Sequence, residues 1–432
     1  MTTYLKRLLL VLLLLLVLIP ALQARFQLVN EHSLAGAFVL APRPELSWES
    51  LRSNDFQPAL EKYLEERMGF RGFLIQLRNQ LRFSVFRVST NKYAIVGRDN
   101  MLYQDAPVYT YLGLDSVKRK EIRRRVRRVI LIQQALAKRN VKFLFVIAPN
   151  KARQIPGMLP ADLPAKAGPT NYELFSAELR RQGVELLDTN PLYKTWSDTA
   201  HYPLFPWNGT HWNPYGVSLV ADTLLNRVEH LLGTLVPRLR PVAPPIITDS
   251  ADAANDDLSA AMNLLLPPKP HVGLYPRMGP APARPGEQRP HVLLIGDSFN
   301  WGLMTFAPYI QHAFAPDTRL WYYGQTVYIP DRHEHKDSLA RPVPELDFHK
   351  EVESRQLVIV LLTEHNLNTS EFGLGGYLYS LYYPMTEADN VRIKQIEEDL
   401  TSRMPWDEAS KPDAYQKIHD QAVSDYELER KL

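Results

Sequence analysis

Apolar positions form one unbroken run near the start of the chain and then settle into alternating helical and strand patterns. Leu8 to Leu22 is apolar throughout and follows Lys6 and Arg7. Fifteen residues suit a signal-peptide core or a short anchor and fall below the roughly 20 that a helical span needs. Pro20 is placed to end that helix, and Ala24 offers a cleavage position, although bulky Leu22 stands where a small residue is preferred. The basic flank predicts a cytoplasmic N-terminus and an exported body. Beyond it, 49–88 reads as amphipathic helix on the spacing of Phe56, Leu60, Tyr63, Leu64, Met68 and Phe70. Tyr93–Val96 reads as a strand. Ser116–Arg139 reads as a helix that Asp115 or Ser116 can cap. Val141–Ala148, apolar except for Lys142, has the pattern of a buried parallel strand. Helices follow at Tyr172–Gln182 and Pro214–Leu232, and strands at Val184–Asp188, Val292–Ile295 and Leu357–Thr363. The end, from Glu387, is polar helix. This alternation predicts a three-layer α/β domain with a mainly parallel sheet.

Composition narrows the chemistry. The chain has 432 residues, 45% of them hydrophobic and 22% charged, which is enough for a folded protein with a large core. The absence of Cys excludes disulfides, Cys-ligated zinc, iron–sulfur clusters, a thiol nucleophile and a lipidated Cys. Fifty basic against 47 acidic residues give no global polyanion-binding signature, and export argues against nucleic acid as a partner. One local exception is 118–128, with eight Lys or Arg and one Glu. It reads either as a patch for an acidic glycan or lipid headgroups, or as the solvated face of a helix. Eleven of the 34 prolines fall within 241–290, which predicts a long surface excursion holding one helix near Asp256–Leu266.

The strongest chemical signal is His291-Val-Leu-Leu-Ile-Gly-Asp-Ser-Phe-Asn300, an apolar strand that runs into Gly-Asp-Ser. Parallel sheets carry their sites at the carboxyl ends of strands, so Ser298 is positioned as a nucleophile beside backbone N–H groups that can hold an oxyanion. A hydroxyl needs a base. His211 is the candidate, because it lies among turn and aromatic residues in Trp207-Asn-Gly-Thr-His-Trp-Asn-Pro-Tyr-Gly216. Asp297, next to Ser298, reads as a turn-stabilising residue. Asn150 and Lys151 follow a strand end and read either as cleft-lining residues or as a solvated turn. Asn300 reads as an oxyanion donor or a helix cap, and Asn366 as a further substrate or oxyanion candidate. Trp207, Trp212 and Trp301 read as sugar-stacking faces or as core. Asp331-Arg-His-Glu-His335 reads as a charged loop rather than a metal site, and no metal or cofactor is called for.

These segments together resemble the alginate O-acetyltransferase family (AlgX/AlgJ-like), whose catalytic domain is SGNH-hydrolase-like. Asn91–Tyr103 is similar to the segment that opens the family's domain, and Val146–Pro156 to its strand with Pro-Asn-Lys. Gly209–Gly216 is similar to its His-Trp motif, Ile295–Asn300 to its nucleophile block, and Leu357–Asn366 to its late strand. The resemblance implies an exported enzyme that handles acetyl groups on a polysaccharide, often beside a membrane-bound acyl-transport partner of the MBOAT type. It places the protein in the periplasm or on the extracytoplasmic face of a bacterial inner membrane. One position departs from the family. Gly209 stands where members carry an Asp two residues before the His, and loss of that charge costs a serine protease roughly 10⁴-fold. Asn208, Glu364 or a backbone carbonyl remain as orienters of His211.

The expected organisation is a signal or anchor at 1–24, a helical region at 25–90, an SGNH-hydrolase-like domain at 91–385 that includes the 241–290 excursion, and a helical tail at 386–432. Three functions remain in play. They are an exported serine-dependent O-acyltransferase, an esterase of the same architecture, and a carbohydrate-binding scaffold that Gly209 keeps in contention.

Overall fold

In the computed structural model, which describes residues 3–31, 34–36, 39–250, 256–330, 342–369, 374–405 and 411–430, the chain divides into two compact units. One comprises Met1–Gln104 with Trp207–Gly209 and Ala251–Pro270. The other comprises Asp105–Pro206, Thr210–Ser250 and His271–Leu432. These boundaries differ from the expected ones. The segment up to Gln104 groups with the N-terminal helices, and the C-terminal helices group with the sheet.

The larger unit is built on six strands: β1 (Lys142–Ala148), β2 (Leu186–Asp188), β3 (Val292–Gly296), β4 (Arg319–Tyr322), β5 (Thr326–Tyr328) and β6 (Leu357–Thr363). Their order is β2-β1-β6-β3-β4-β5, parallel except for the β4–β5 pair. The strands are apolar on both faces because both faces are covered. Phe143, Phe145, Ile147, Leu293, Ile295, Val358, Val360 and Leu362 point to one side and meet Ile122, Val126, Val129 and Ile132 of α1 (Arg119–Ala137) and Phe175 and Leu179 of α2 (Asn171–Gln182). The alternate residues Leu144, Val146, Val292, Leu294, Ile359 and Leu361 meet Val217, Val220, Leu224 and Val228 of α3 (Pro214–Leu232). Each such buried side chain contributes about 1.5–3 kcal/mol. The result is the three-layer, mainly parallel α/β architecture that the alternation predicts. The last strand inserts centrally, and its register aligns Thr363 with Ala148 and Leu361 with Gly296. The carboxyl ends of β1, β3 and β6 therefore lie side by side.

The basic run is half a solvated face and half a covered one: Lys118, Arg119, Lys120 and Arg123 are exposed, while Arg124, Arg125, Arg127 and Arg128 are half-buried. Helix α4 (Ala414–Glu429) packs against the covered half. Glu427, 3% exposed, accepts from Arg124 (3.0 Å) and from Arg128 (2.5 and 2.9 Å), and Lys120 pairs with Asp425. Arg127 donates to the carbonyls of Leu428 and Arg430. Glu427→Ala removes this carboxylate from Arg128 and leaves Arg124 with Glu121, and is expected to cost about 2 kcal/mol in urea unfolding. Neither Asp115 nor Ser116 caps α1. Its first turn follows an extended Lys118, while Asp115 accepts from Thr110 Oγ1 (2.6 Å) and Asn368 Nδ2 (2.7 Å).

The proline-rich excursion contains regular structure at both ends. Leu239–Thr248 and Gly273–Pro280 form an antiparallel ribbon whose register slips twice, after Pro241 and after Ala243. Slips of this kind accommodate prolines, which cannot donate to a ladder.

In the smaller unit the apolar helix runs Thr3–Phe26, through Pro20 rather than ending there. A proline removes one donor and can be tolerated inside an apolar helix. Its 24 residues, rising 1.5 Å each, reach about 36 Å, so the helix is long and apolar enough to cross a bilayer. The stretch 49–88 is three helices, not one: Trp48–Arg52, Phe56–Glu66 and Arg71–Phe86. Left-handed residues Asn54 (φ 62°) and Phe70 (φ 59°) mark the breaks.

Candidate functional site

The chain leaves β3 through Gly296 into a single 3₁₀ turn, Ser298–Trp301. Gly296 is fixed by crowding. A Cβ there would lie 2.0 Å from the Leu361 carbonyl and 2.6 Å from Asn300 Nδ2. Asp297, fully buried, holds the turn. Its Oδ1 accepts from Phe299 N (3.0 Å), and its Oδ2 accepts from Thr363 N and Thr363 Oγ1 (2.6 Å each) and from Asn366 Nδ2 (2.8 Å). This carboxylate stitches the end of β3 to the end of β6 and leaves Ser298 half-buried at the sheet edge.

His211 arrives from the other side of the chain. Asn213 caps α3 by accepting from Gly216 N (2.8 Å), with Pro214 at the first helical position, and donates to the Pro203 carbonyl (2.6 Å). Trp212 is completely buried, 5.1 Å from the Phe299 ring. Locked on that side, His211 lies with its ring centroid 5.0 Å from Phe299 and its Nε2 2.8 Å from Ser298 Oγ. Two motifs separated by 87 positions and by the proline-rich excursion thus meet within a hydrogen bond. That geometry allows an imidazole to accept a hydroxyl proton directly.

The remaining candidates are placed differently. Glu364 is fully buried, and both its oxygens accept from Arg153 (2.6 and 2.7 Å). Arg153 also donates to Thr170 Oγ1 (3.0 Å) and lies over the Tyr172 ring. Burial pushes the Glu364 carboxyl above its ordinary value, with Arg153 opposing. A carboxylate held by a guanidinium fork serves that pair and not the imidazole, which corrects its assignment as orienter. Asn208 belongs to the smaller unit, where it is buried and donates to the Pro268 carbonyl (2.7 Å). Asn300 Nδ2 donates to the Asp297 carbonyl (3.1 Å), so its amide closes the turn instead of facing an oxyanion. Asn366 likewise serves Asp297. Asn150 caps the short helix Lys151–Gln154 and donates to the Pro107 carbonyl (2.8 Å), while Lys151, 2% exposed, donates to the Pro206 carbonyl (2.6 Å). Both are buried, so neither lines an open cleft nor forms a solvated turn. Trp212 is core. Trp207 lies in the smaller unit and donates to the Asp99 carbonyl (3.1 Å). The Asp331–His335 run lies outside the described residues.

Sequence reasoning missed Tyr323. Its backbone is left-handed (φ 52°), a conformation that costs a bulky residue strain and that clusters at functional sites. Its N–H donates to the Gly296 carbonyl (2.8 Å), and its phenol lies beside Ser298. Burial, with Asp297 nearby, raises its phenol above the ordinary value, so the hydroxyl stays protonated at neutral pH. Half-buried Trp301, Tyr322 and Tyr328 lie beside it, with ring centroids 4.9–5.6 Å apart. The available signal was the cluster Trp321-Tyr-Tyr-Gly324 just beyond the nucleophile motif.

A family model described as the SGNH hydrolase-like domain of the acetyltransferase AlgX matches residues 94–320, just over half of the chain. The match includes the His211 and Ser298 motifs and stops before β6. No curated protein matches in sequence. Among solved structures, the O-acetyltransferase domain of Pseudomonas putida AlgJ is 18% identical, with 65% of this chain and 98% of that one covered at a TM-score of 0.45. Pseudomonas aeruginosa AlgX is 16% identical, with 66% and 69% covered at 0.41. Bacillus cereus PatB1 with a sulfonyl adduct is 12% identical, with 66% and 99% covered at 0.41.

Proposed function

This chain belongs to the family of SGNH hydrolase-like AlgX acetyltransferase domains, and from that premise we propose that it is an exported, serine-dependent O-acetyltransferase acting on a polysaccharide. The observation that supports it most is the 2.8 Å approach of His211 Nε2 to Ser298 Oγ. In this reading Ser298 Oγ attacks the acetyl carbonyl of a donor as His211 takes its proton. The tetrahedral intermediate collapses, the leaving group departs with the proton from His211, and the acetyl group stays on Ser298 as an ester. A sugar hydroxyl then attacks that ester. His211 takes the hydroxyl's proton and returns it to Ser298 Oγ as the acetylated sugar leaves. Tyr323, protonated and beside Ser298, supplies a hydrogen bond to the developing oxyanion. Trp301, Tyr322 and Tyr328 offer aromatic faces to the sugar.

The N-terminal apolar helix behind Lys6 and Arg7 supports a place on the extracytoplasmic face of a bacterial inner membrane. A membrane-bound acyl-transport protein of the MBOAT type would there supply the acetyl group.

The test is incubation with an activated acetyl ester, with and without oligosaccharide acceptors, read by mass. Acetylated sugar is the expected product. Acetate release that no acceptor diverts would make the protein an esterase. A rate equal to that of the buffer alone would leave the scaffold reading. Tyr323→Phe is expected to lower kcat roughly 10²-fold, the scale of one lost oxyanion donor, with little change in donor KM. Steady-state kinetics on the same ester check this.

A further inference from the structure

Helix Arg71–Phe86 carries an apolar face that the described residues leave exposed. Asn79 and Phe83 are buried on its inner side. Opposite them, Phe73, Leu74, Leu77, Leu81 and Val85 are between 37% and 65% exposed. At 3.6 residues per turn these five occupy one arc of about 120°. Arg78 and Arg82 follow at its edge, and no acidic residue lies anywhere in the helix. Ser84 alone interrupts the arc, and soluble surfaces rarely expose so large an apolar strip. Gln80, hydrogen-bonded to Ser84 (2.9 Å), marks the other edge, and an apolar face with uncharged and basic but no acidic neighbours is the pattern of a helix lying in a bilayer interface.

The neighbouring structure identifies the occupant. The turn that starts this helix rests on the last turns of the apolar helix Thr3–Phe26. A Cβ on Gly69 would lie 2.3 Å from the Pro20 carbonyl and 2.6 Å from Gln23 Cβ, so only glycine permits the approach. Phe70 N donates to Glu31 Oε1 (2.7 Å), and Gln23 Nε2 donates to the Val29 carbonyl (2.6 Å), which ties the two segments together. The helix thus begins where the apolar segment would leave a membrane.

We propose that helix Arg71–Phe86 lies in the outer interface of the membrane, with Phe73, Leu74, Leu77, Leu81 and Val85 at the acyl boundary and Arg78 and Arg82 on anionic lipid phosphates. This rests on the membrane location proposed above, and goes beyond it by making the protein a surface-bound enzyme rather than one tethered by a single helix.

The absence of Cys makes the test direct, because one introduced Cys is unique. Full-length protein carrying Leu77→Cys, Leu81→Cys, Val11→Cys or Ser354→Cys is labelled with bimane in phosphatidylethanolamine–phosphatidylglycerol vesicles. Quenching by lipid-borne nitroxides is then compared with quenching by aqueous iodide. Labels at 77 and 81 are expected to be quenched several-fold more by lipid nitroxide than the exposed control at 354, and less by iodide. Lipid quenching at 11 alone would overturn the interfacial helix. No lipid quenching at 11, 77 or 81 would overturn it together with the anchor on which it rests. Shielding of 77 and 81 from both quenchers would show a protein on that face, and so would also contradict the assignment to lipid.

Discussion

Ser298→Ala is expected to lower acetyl transfer by about 10⁶-fold, the scale seen when the nucleophile of a serine protease is removed. His211→Ala should fall nearly as far, and the double variant no further, because base and nucleophile act as one unit. The reason is chemical. A serine hydroxyl at neutral pH is almost wholly protonated, and Nε2 at 2.8 Å is placed to remove its proton as the bond to carbon forms. Neither side chain should matter for folding. Both are only half-buried, so thermal unfolding of the two variants should match that of the parent. Steady-state rates with an activated acetyl ester, beside melting curves, separate the two effects. Equal losses in rate and stability would mean that the pair is structural.

The second large effect is on stability. Arg153→Met leaves the Glu364 carboxylate buried without its partner, and removal of one side of such a pair costs about 3–5 kcal/mol. Replacing both, as Arg153→Met with Glu364→Leu, should recover much of that loss, because two apolar side chains need no partner. The single variant also carries a pH signature. Burial already pushes Glu364 up, and Arg153 is what opposes it, so loss of Arg153 raises the folded pKa further above the unfolded one. A group whose pKa is raised on folding favours the native state at low pH and weakens it as pH rises through the folded value. The defect should therefore shrink as pH falls from 7 toward 5, relative to the parent. Urea unfolding across that range checks this.

Much of the fold was legible because period and chemistry agreed. Val141–Ala148, Val292–Ile295 and Leu357–Thr363 read as buried strands and form β1, β3 and β6. Gly-Asp-Ser298 lies at a strand end as the parallel sheet requires. What escaped were features set by long-range partners. Within 118–128, Arg124 and Arg128 meet Glu427 and Lys120 meets Asp425, some 300 residues away, which no local pattern reveals. Asn300, Asn366 and Glu364 looked like cleft residues because they are polar at strand ends. Instead Asn300 donates to the Asp297 carbonyl, Asn366 to the Asp297 carboxylate, and Glu364 accepts from Arg153. For Tyr323 the aromatic cluster at 321–324 was the one local signal, and its left-handed backbone beside the nucleophile is set by the fold. The single apolar–polar periodicity of 49–88 concealed two breaks, although Asn54 and Gly69 are residues that favour them.

The central claim is that Ser298 carries the acetyl group. The most direct measurement is the mass of the peptide containing residue 298 after brief exposure of the protein to an activated acetyl ester and acid quenching. A gain of one acetyl group on Ser298 is expected, lost on addition of an oligosaccharide acceptor and absent in Ser298→Ala. Turnover with the same ester while the peptide mass stays unchanged under trapping conditions, or an acetyl group confined to another residue, would contradict it.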